Sequence, residues 1–223
     1  MREKIIFSWS SGKDSALALF SILQQKNFDV AGLLTTVTAD YDRVSMHGVR
    51  RVLLEQQAAA IGIPLTIASI SSSTDHAAYE QIITKTLLPF KEAGITTVAF
   101  GDIFLEDLKK YRETSLAKIG LKAIFPLWKQ KSSILADKYL SLQFKTIITC
   151  VDSKQLSGDF CGRDFDKALI KELPKGVDPC GENGEFHTFA YGGPLFAKEI
   201  PVTRGETVVR DEQFYFCDLL PGN

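Results

Sequence analysis

Cysteine is scarce in this sequence, and its spacing gives no sign of two common kinds of site. The 4 cysteines occur at Cys150, Cys161, Cys180 and Cys217, and no two of them form a C-x-x-C pair. Zinc ribbons and thioredoxin-like redox centres both need that pair. A chain of 223 residues, 45% of them hydrophobic, buries enough core to fold without disulfides. We therefore expect free thiols in a reducing compartment.

Long hydrophobic runs and an excess of charge of one sign are also missing. The first apolar run, Lys4–Trp9, is far shorter than the ~20 residues of a membrane span and too short for a signal peptide. Lysine and arginine number 26 against 27 acidic residues, which gives a net charge of -1. This balance argues against a broad basic surface for nucleic acid. We expect a cytoplasmic protein with no membrane partner, and nucleic acid is the less favoured partner.

Short apolar runs alternate with amphipathic segments over the first two-thirds of the chain. The pattern predicts strands at Lys4–Trp9, Val30–Val37, Leu65–Ile70 and Thr96–Phe100, and helices at Asp14–Lys26, His47–Ile61, Asp75–Ala93 and Leu105–Ile119. Strands separated by helices predict an α/β fold with a Rossmann-like parallel sheet and helices on both faces. Such sheets bind ligands at the carboxyl ends of their strands, where the strand order reverses.

The rest of the chain is less regular and predicts a smaller C-terminal α+β subdomain. Helices are expected at Ser132–Leu142 and Asp164–Leu173, and strands at Thr146–Val151 and Gln213–Leu219. We place a first domain at residues 1–125 and the subdomain, packed on it, at 126–223. The last strand looks exposed around Phe214–Cys217, so a homodimer through this edge stays open.

The most informative motif is a polar loop between the first predicted strand and helix. It reads S-S-G-K-D-S and comprises Ser10, Ser11, Gly12, Lys13, Asp14 and Ser15. A helix N-terminus carries unpaired N–H groups and the positive end of the helix dipole, so it binds anions. Gly12 permits close approach of the backbone, Lys13 adds a charge, and the serines add hydroxyl donors. Asp14 can cap the helix or hold a magnesium ion.

The loop is neither a Walker A motif nor a dinucleotide fingerprint, because G-x-x-x-x-G-K-[ST] and G-x-G-x-x-G are both absent. It resembles the PP-loop of ATP pyrophosphatases, S-G-G-K-D-S, with Ser11 where glycine is usual. The resemblance implies that ATP is bound by its β- and γ-phosphates and attacked at the α-phosphate, so that pyrophosphate leaves with Mg²⁺ neutralising its charge. The alternative is an ordinary serine-rich helix cap.

A second cluster, D-P-C-G-E-N-G-E-F-H-T, occupies Asp178–Thr188. With the loop at residues 10–15, it resembles the diphthine–ammonia ligase family, and the resemblance extends over about residues 4–200. Further matching stretches are Gly101-Asp102-Ile103, Arg112-Glu113, Pro126-Leu127-Trp128 and Gly192–Phe196. The resemblance implies an adenine nucleotide alpha hydrolase-like fold with an ATP-binding first domain and a substrate-binding C-terminal subdomain.

The same resemblance implies an AMP-forming amide ligase. A carboxylate is adenylated by ATP, pyrophosphate is released, and ammonia then displaces AMP. In diphthamide biosynthesis the carboxylate belongs to diphthine, a modified histidine on a translation elongation factor. The sequence leaves the acceptor open between diphthine and another carboxylate. It contains no glutaminase segment, so free ammonia is the expected nitrogen donor.

Within the second cluster, Glu182 and Glu185 are candidates to bind or deprotonate ammonium or to orient the acceptor. His187 is a candidate base or a hydrogen-bond partner for the substrate carboxylate. Gly181 and Asn183 belong to the same expected substrate site. Together with Lys13 and Asp14, the two glutamates and the histidine form the predicted catalytic set. A structural turn with a satisfied histidine is the alternative interpretation.

Five residues carry weaker signals, four of them outside the two motifs and one, Cys180, within the second. Gly101 and Asp102 follow the fourth predicted strand and are expected to contact ATP, although such an aspartate often only caps the next helix. Arg112 can reach phosphate or form an ion pair on the helix surface. His47 lies where it can line the acceptor site or simply begin a helix. Cys180 suggests thiolation chemistry, but a buried small residue is the favoured interpretation.

Two other functions remain open. A PP-loop tRNA-modifying enzyme, a thiolase or a lysidine-type synthetase, would be expected to show paired cysteines or a basic face, and the sequence shows neither. A nucleotide-binding module without catalysis would bind ATP or AMP with no turnover. Ser11 gives that hypothesis slight support, whereas the complete acidic cluster counts against it.

Overall fold

The structure is a computed structural model that describes residues 2–222. Its N-terminal part alternates strands and helices, as the sequence pattern predicts. The elements are β1 Glu3–Ser8, α1 Lys13–Gln24, β2 Phe28–Thr38, β3 Arg43–Val44, α2 Arg51–Ile61, β4 Leu65–Ile70, α3 His76–Glu92, β5 Thr97–Ala99, α4 Glu106–Lys118 and β6 Lys122–Ile124. The short strands β3 and β6 were not predicted, because two or three residues carry no periodic signal.

Five strands of the first sheet are parallel and lie in the order β4, β2, β1, β5, β6. The short strand β3 pairs antiparallel with the end of β2. The chain leaves β1 toward β2 on one side and later returns to β5 on the other, so the strand order reverses between β1 and β5. The predicted α/β fold with a Rossmann-like parallel sheet is confirmed. Its ligand crevice therefore lies beyond the ends of β1 and β5.

Helix ends follow the local chemistry. Asp75 caps α3 by accepting a hydrogen bond of 2.8 Å from the Ala78 N–H. Gly62 ends α2 in the left-handed region, at φ 78°, and its N–H donates to the Ala58 carbonyl. Helix α3 contains Pro89 near its end and continues through it to Glu92.

The second sheet is antiparallel and has the order β8, β7, β10, β9. The elements of this C-terminal part of the chain are α5 Ser132–Ser141, β7 Lys145–Asp152, a 3-10 turn Gly158–Phe160, α6 Lys167–Glu172, β8 Phe186–Gly192, β9 Val202–Arg210 and β10 Phe214–Pro221. The sequence pattern missed β8 and β9, because β8 follows a glycine-rich polar loop and β9 has no buried face.

The expectation that the last strand offers a free edge is wrong. β10 lies inside the sheet, paired with β7 on one side and with β9 on the other. At Phe214–Phe216, the segment that looked exposed in the sequence, β10 pairs with a strand on each side and cannot add a strand from a second chain. The oligomeric state stays open, without this argument for a dimer.

One hydrophobic core runs through both sheets. It includes Leu19 and Leu53 from the first layer together with Ile148 and Phe189 from the second. The rings of Phe20 and Phe144 pack edge to face across the junction at 6.0 Å. None of the helices within residues 2–222 is long and apolar enough to cross a membrane.

Candidate active site

A cavity of about 670 Å³ opens at the switch point of the first sheet, between the ends of β1 and β5. Most of the site residues predicted from the sequence line it. They are Ser10, Asp14, Ser15, His47, Gly101, Asp102, Arg112, Gly181, Glu182, Asn183 and His187. Four predicted residues, Ser11, Gly12, Lys13 and Glu185, lie outside this lining. The fold therefore brings two motifs more than 160 residues apart in sequence to one cavity.

Ser11 explains why glycine is usual at its position in a PP-loop. Its φ is 70°, in the left-handed region that side chains disfavour. The residue is fully buried, and its hydroxyl has no hydrogen-bond partner among residues 2–222. Its carbonyl accepts hydrogen bonds from the Ala190 N–H at 2.9 Å and from Gln57 Nε2 at 3.0 Å. The backbone is thus fixed in a shape that costs serine free energy.

Replacing Ser11 with glycine is expected to stabilise the fold by about 1 kcal/mol. Relief of left-handed strain and loss of an unpaired buried hydroxyl outweigh the greater flexibility of glycine in the unfolded chain. For a chain of this length the midpoint of thermal unfolding should rise by about 2–4 °C. Ser10→Gly is the matched control, because it removes a hydroxyl that is bonded to Ser15 Oγ at 2.8 Å. An unchanged or lower midpoint for Ser11→Gly would contradict the strain argument.

Glycine is required at two positions, because atoms of other segments approach the backbone too closely for a side chain. A Cβ at Gly12 would lie 2.8 Å from His47 Cε1 and 3.1 Å from the Thr188 carbonyl oxygen. A Cβ at Gly101 would lie 3.0 Å from the Ser15 backbone nitrogen. The first glycine lets α1 begin against His47 and β8, and the second lets the end of β5 reach α1.

Lys13 does not line the cavity, and its side chain is bonded to other groups within the protein. Its Nζ lies 2.7 and 2.9 Å from the two Asp14 carboxylate oxygens and also donates to the Cys180 carbonyl. The Lys13 side chain is 3% exposed, and that of Asp14 is 29% exposed. Burial opposes the charged form of Lys13, but Asp14, Cys180 and Glu182 together outweigh it, and the pKa of Lys13 is raised overall. The lysine thus stays protonated. It connects the phosphate loop, residues 10–15, to the acidic loop, residues 178–185.

Gln57 is a site residue that the sequence analysis missed. Its fully buried side-chain oxygen accepts from Trp9 Nε1 at 3.0 Å. Its Nε2 donates to the carbonyls of Ser11, at 3.0 Å, and Ala190, at 2.6 Å. One amide therefore joins β1, the phosphate loop and β8. The signal in the sequence is a polar residue at helical spacing among the apolar residues of α2.

Glu185 organises the acidic loop from within. It is 2% exposed and does not line the cavity. Its carboxylate accepts from the Asp178 N–H at 2.9 Å, the Asn183 N–H at 3.0 Å and Asn183 Nδ2 at 2.9 Å. Because these donors occupy its oxygens, this placement does not support the catalytic role expected of Glu185. The loop turns at Gly181, where φ is 68°.

Glu182 faces the cavity from the same loop. One carboxylate oxygen, Oε1, accepts from the Ile103 N–H at 2.7 Å and from the Phe104 N–H at 3.3 Å. Burial raises the pKa of Glu182 to about 7, and nearby Asp14 adds to the effect. The other oxygen has no partner in hydrogen-bonding range among residues 2–222. Glu182 is thus poised to gain or lose a proton near neutral pH.

Asp102 and Arg112 form an ion pair on the cavity wall. Arg112 Nε lies 2.7 Å from Asp102 Oδ2, and Nη2 donates to Oδ1 at 3.1 Å. The guanidinium also stacks on the Phe100 ring, 4.3 Å from its centroid. Both side chains remain part of the cavity lining. The ion pair expected of Arg112 is therefore present, and its contact with phosphate stays a prediction.

His47 and His187 form a neutral pair beside the start of α1. Their ring centroids are 4.8 Å apart. His47 Nδ1 donates to the Thr188 carbonyl at 3.0 Å, since that oxygen can only accept. Burial lowers the pKa of His47 to about 4 and that of His187 to about 3. At neutral pH both are uncharged, so hydrogen bonding suits His187 better than proton abstraction.

The described residues do not form a preformed magnesium cage. Within 2–222, no group of three or more histidine, cysteine, aspartate and glutamate side chains is arranged to hold a metal ion. Asp14, a candidate ligand, is paired with Lys13.

Cys180 is buried, donates to the Ser132 carbonyl at 3.4 Å, and has its thiol pKa raised by burial. These surroundings favour the structural interpretation of Cys180 over thiolation.

Comparison with known proteins identifies the family. Models described as the diphthamide synthase N-terminal domain and C-terminal domain match residues 3–123 and 132–219. The chain is 28% identical to the diphthine–ammonia ligase of Danio rerio over 92% of this chain and 89% of that protein. It is 32% identical to the Homo sapiens diphthine–ammonia ligase over 47% of this chain and 42% of that protein.

A solved structure of the U34-tRNA thiolase NcsA from Methanococcus maripaludis is 18% identical and has a TM-score of 0.37. It covers 63% of this chain and 57% of its own, a similarity too low to bear on fold or function. The two domain models, in contrast, match in order along one chain and together take in both sheets. The protein belongs to the diphthamide synthase family.

Proposed function

We propose that this protein is an ATP-dependent amide ligase that adenylates a carboxylate, releases pyrophosphate and transfers ammonia. Membership of the diphthamide synthase family supports an ATP-dependent ligase, since relatives carry the name diphthine–ammonia ligase. The observation that carries the proposal is the shared cavity. The N-terminus of α1, which suits an anion, and Glu182, which suits a proton acceptor, face the same space.

In this proposal the triphosphate of ATP lies at the start of α1, against Ser10 and Ser15. The adenosine lies toward the ends of β1 and β2, where Trp9, Leu34 and Thr35 line the cavity. Gly101 lines the opposite side, at the end of β5. Mg²⁺, when bound, would neutralise phosphate charge, and its ligands would come mainly from the phosphates and water.

The first step joins the carboxylate to the α-phosphate. An oxygen of the acceptor carboxylate attacks the α-phosphorus, the bond to the bridging oxygen of the β-phosphate breaks, and pyrophosphate leaves with that electron pair. Asp102 holds Arg112 on the cavity wall, where its positive charge attracts the incoming carboxylate or the phosphates. His187, uncharged, can donate an N–H to the same carboxylate.

The second step transfers ammonia. The nitrogen lone pair attacks the carbonyl carbon of the acyl-adenylate, and the bond to the AMP oxygen breaks. The product amide and AMP form after the nitrogen loses a proton, which Glu182 accepts on its unoccupied oxygen. In this proposal Lys13 and Asp14 hold the geometry of the site, and Glu185 shapes the loop that carries Glu182 and Asn183.

The acceptor carboxylate is the least constrained part of the proposal. Diphthine is the candidate that the relatives' names give, and another carboxylate is the alternative. We further propose that residues 1–125 form the ATP-binding domain and residues 126–223 the smaller substrate-binding subdomain. His47 from the first domain and the acidic loop from the second would then meet at the acceptor.

The products of ATP cleavage test this proposal. Purified protein with ATP, Mg²⁺, ammonium and a panel of carboxylates, diphthine-bearing elongation factor among them, is expected to form AMP and pyrophosphate in equal amounts. The carboxylate that raises turnover names the acceptor class. ADP and phosphate would overturn the proposed chemistry. Nucleotide binding with no turnover on any acceptor would favour the non-catalytic module, and a salt-sensitive complex with tRNA would favour the tRNA-modifying enzyme.

A further inference from the structure

Helix α1 receives its N-terminal cap from the other sheet. Its own cap residue, Gly12, has no side chain to accept a hydrogen bond. Instead, Thr188 Oγ1 on β8 accepts from the Lys13 N–H at 3.0 Å. A Cβ at Gly12 would lie 3.1 Å from that same Oγ1. The helix end is therefore built to receive the hydroxyl of a residue from the C-terminal part of the chain.

A threonine hydroxyl in this position still has a proton to give. Its oxygen accepts from Lys13, and a hydroxyl can donate one hydrogen bond while it accepts others. Among residues 2–222, no protein acceptor is paired with the Thr188 hydroxyl proton. The residue is 2% exposed and belongs to the cavity lining. The free proton therefore lies where a phosphate of ATP would be held in the proposed function.

We propose that Thr188, supplied by the C-terminal sheet, binds the β- or γ-phosphate in the ATP site. The inference rests on the proposed function, because it assumes that the triphosphate lies at the start of α1. The Lys13 N–H points at the hydroxyl, polarises it, and so passes the positive end of the helix dipole to the bound anion. The backbone carbonyl of Thr188 meanwhile holds His47. One residue thus joins the phosphate end of the cavity to the acceptor end.

Two substitutions separate phosphate binding from helix capping. Thr188→Val keeps the shape of the side chain and removes the hydroxyl, whereas Thr188→Ser keeps the hydroxyl. Loss of the cap should lower the unfolding midpoint of Thr188→Val by about 2–4 °C, whatever its role in binding. Loss of a hydrogen bond to a charged phosphate should also weaken binding by about tenfold or more.

Isothermal titration with ATP, pyrophosphate and AMP, at a temperature where every variant is folded by circular dichroism, is the decisive measurement. We expect Thr188→Val to bind ATP and pyrophosphate about tenfold more weakly, with AMP affinity unchanged and Thr188→Ser close to wild type. Unchanged affinity for ATP and pyrophosphate, or an equal loss for all three ligands, would overturn the phosphate role while leaving the proposed function intact. A wild-type protein that binds neither ATP nor pyrophosphate would overturn the proposed function itself.

Discussion

Glu182→Gln should lower amide-forming turnover by about 100-fold or more while leaving the fold intact, since a positioned base contributes ~10²–10⁴ to rate. Glutamine keeps an oxygen for the N–H groups of Ile103 and Phe104, so the loop geometry survives. What it loses is the ability to take a proton from the attacking nitrogen. Adenylation, followed as acceptor-dependent exchange of labelled pyrophosphate into ATP, should change little.

The pH dependence of the same reaction has a defined sign. Burial raises the pKa of Glu182 to about 7, so the carboxyl is mostly protonated at pH 6 and mostly ionised at pH 8. Because only the ionised form accepts a proton, wild-type turnover should rise as pH passes through about 7. The ratio of wild-type to Glu182→Gln turnover removes the contribution of free ammonia, whose concentration also rises with pH. That ratio should increase roughly tenfold between pH 6 and pH 8.

Glu206→Gln is the matched control for this experiment. It makes the same chemical change on an exposed position of β9, far from the cavity lining, and should leave turnover unchanged. Glu185→Gln provides a contrast, because it puts an amide against three donors and should lower the unfolding midpoint. A Glu182→Gln enzyme with full turnover and a wild-type pH profile would remove Glu182 from the mechanism.

Lys13→Met should abolish measurable turnover and destabilise the protein by about 3 kcal/mol. Removing the ammonium leaves the Asp14 carboxylate without its partner and releases the Cys180 carbonyl. Breaking a buried pair typically costs ~3–5 kcal/mol, and we take the low end because Asp14 is 29% exposed. Displacement of the two loops by about 1 Å would lower the rate ~100-fold on its own. Urea unfolding and the AMP assay give the two readouts.

The double variant Lys13→Met/Asp14→Asn distinguishes stability from catalysis. It leaves no unpaired carboxylate, so most of the lost stability should return while turnover stays low. Lys118→Met is the surface control, since it breaks an exposed ion pair with Glu80 and should cost at most about 1 kcal/mol. Full activity in Lys13→Met would show that the lysine only fills space.

The parallel sheet was predictable because its signals are local. Buried parallel strands such as β1 and β2 are continuous apolar runs, and the helices between them have one apolar face. The second sheet was harder, because its strands owe their pairing to distant partners. β9 is mostly exposed and has no apolar face, so only its hydrogen bonds to β10 make it a strand.

The candidate site followed the same division between local and distant signals. Asp14, Glu182 and His187 were predicted from motifs, and all line one cavity. The sequence could not show that Glu182 lines the cavity while Glu185 is held within its own loop. That difference depends on which N–H groups each carboxylate meets in the folded chain. Gln57 belongs to neither motif, and Thr188 ends the second motif with no role predicted for it. Their roles could not be predicted, since each acts through partners more than 40 residues away.

The hydrogen bonds that join β8 to the residues around the start of α1 can form only late in biosynthesis. Ser11, Gln57 and Lys13 emerge from the ribosome early, but their partners Thr188 and Ala190 are made some 130 residues or more later. At ~5–20 residues per second, the nascent first sheet waits several seconds or longer with these polar groups unsatisfied. A chain released before residue 188 would lack the cap of α1. Products truncated before this residue should therefore neither bind ATP tightly nor escape proteolysis.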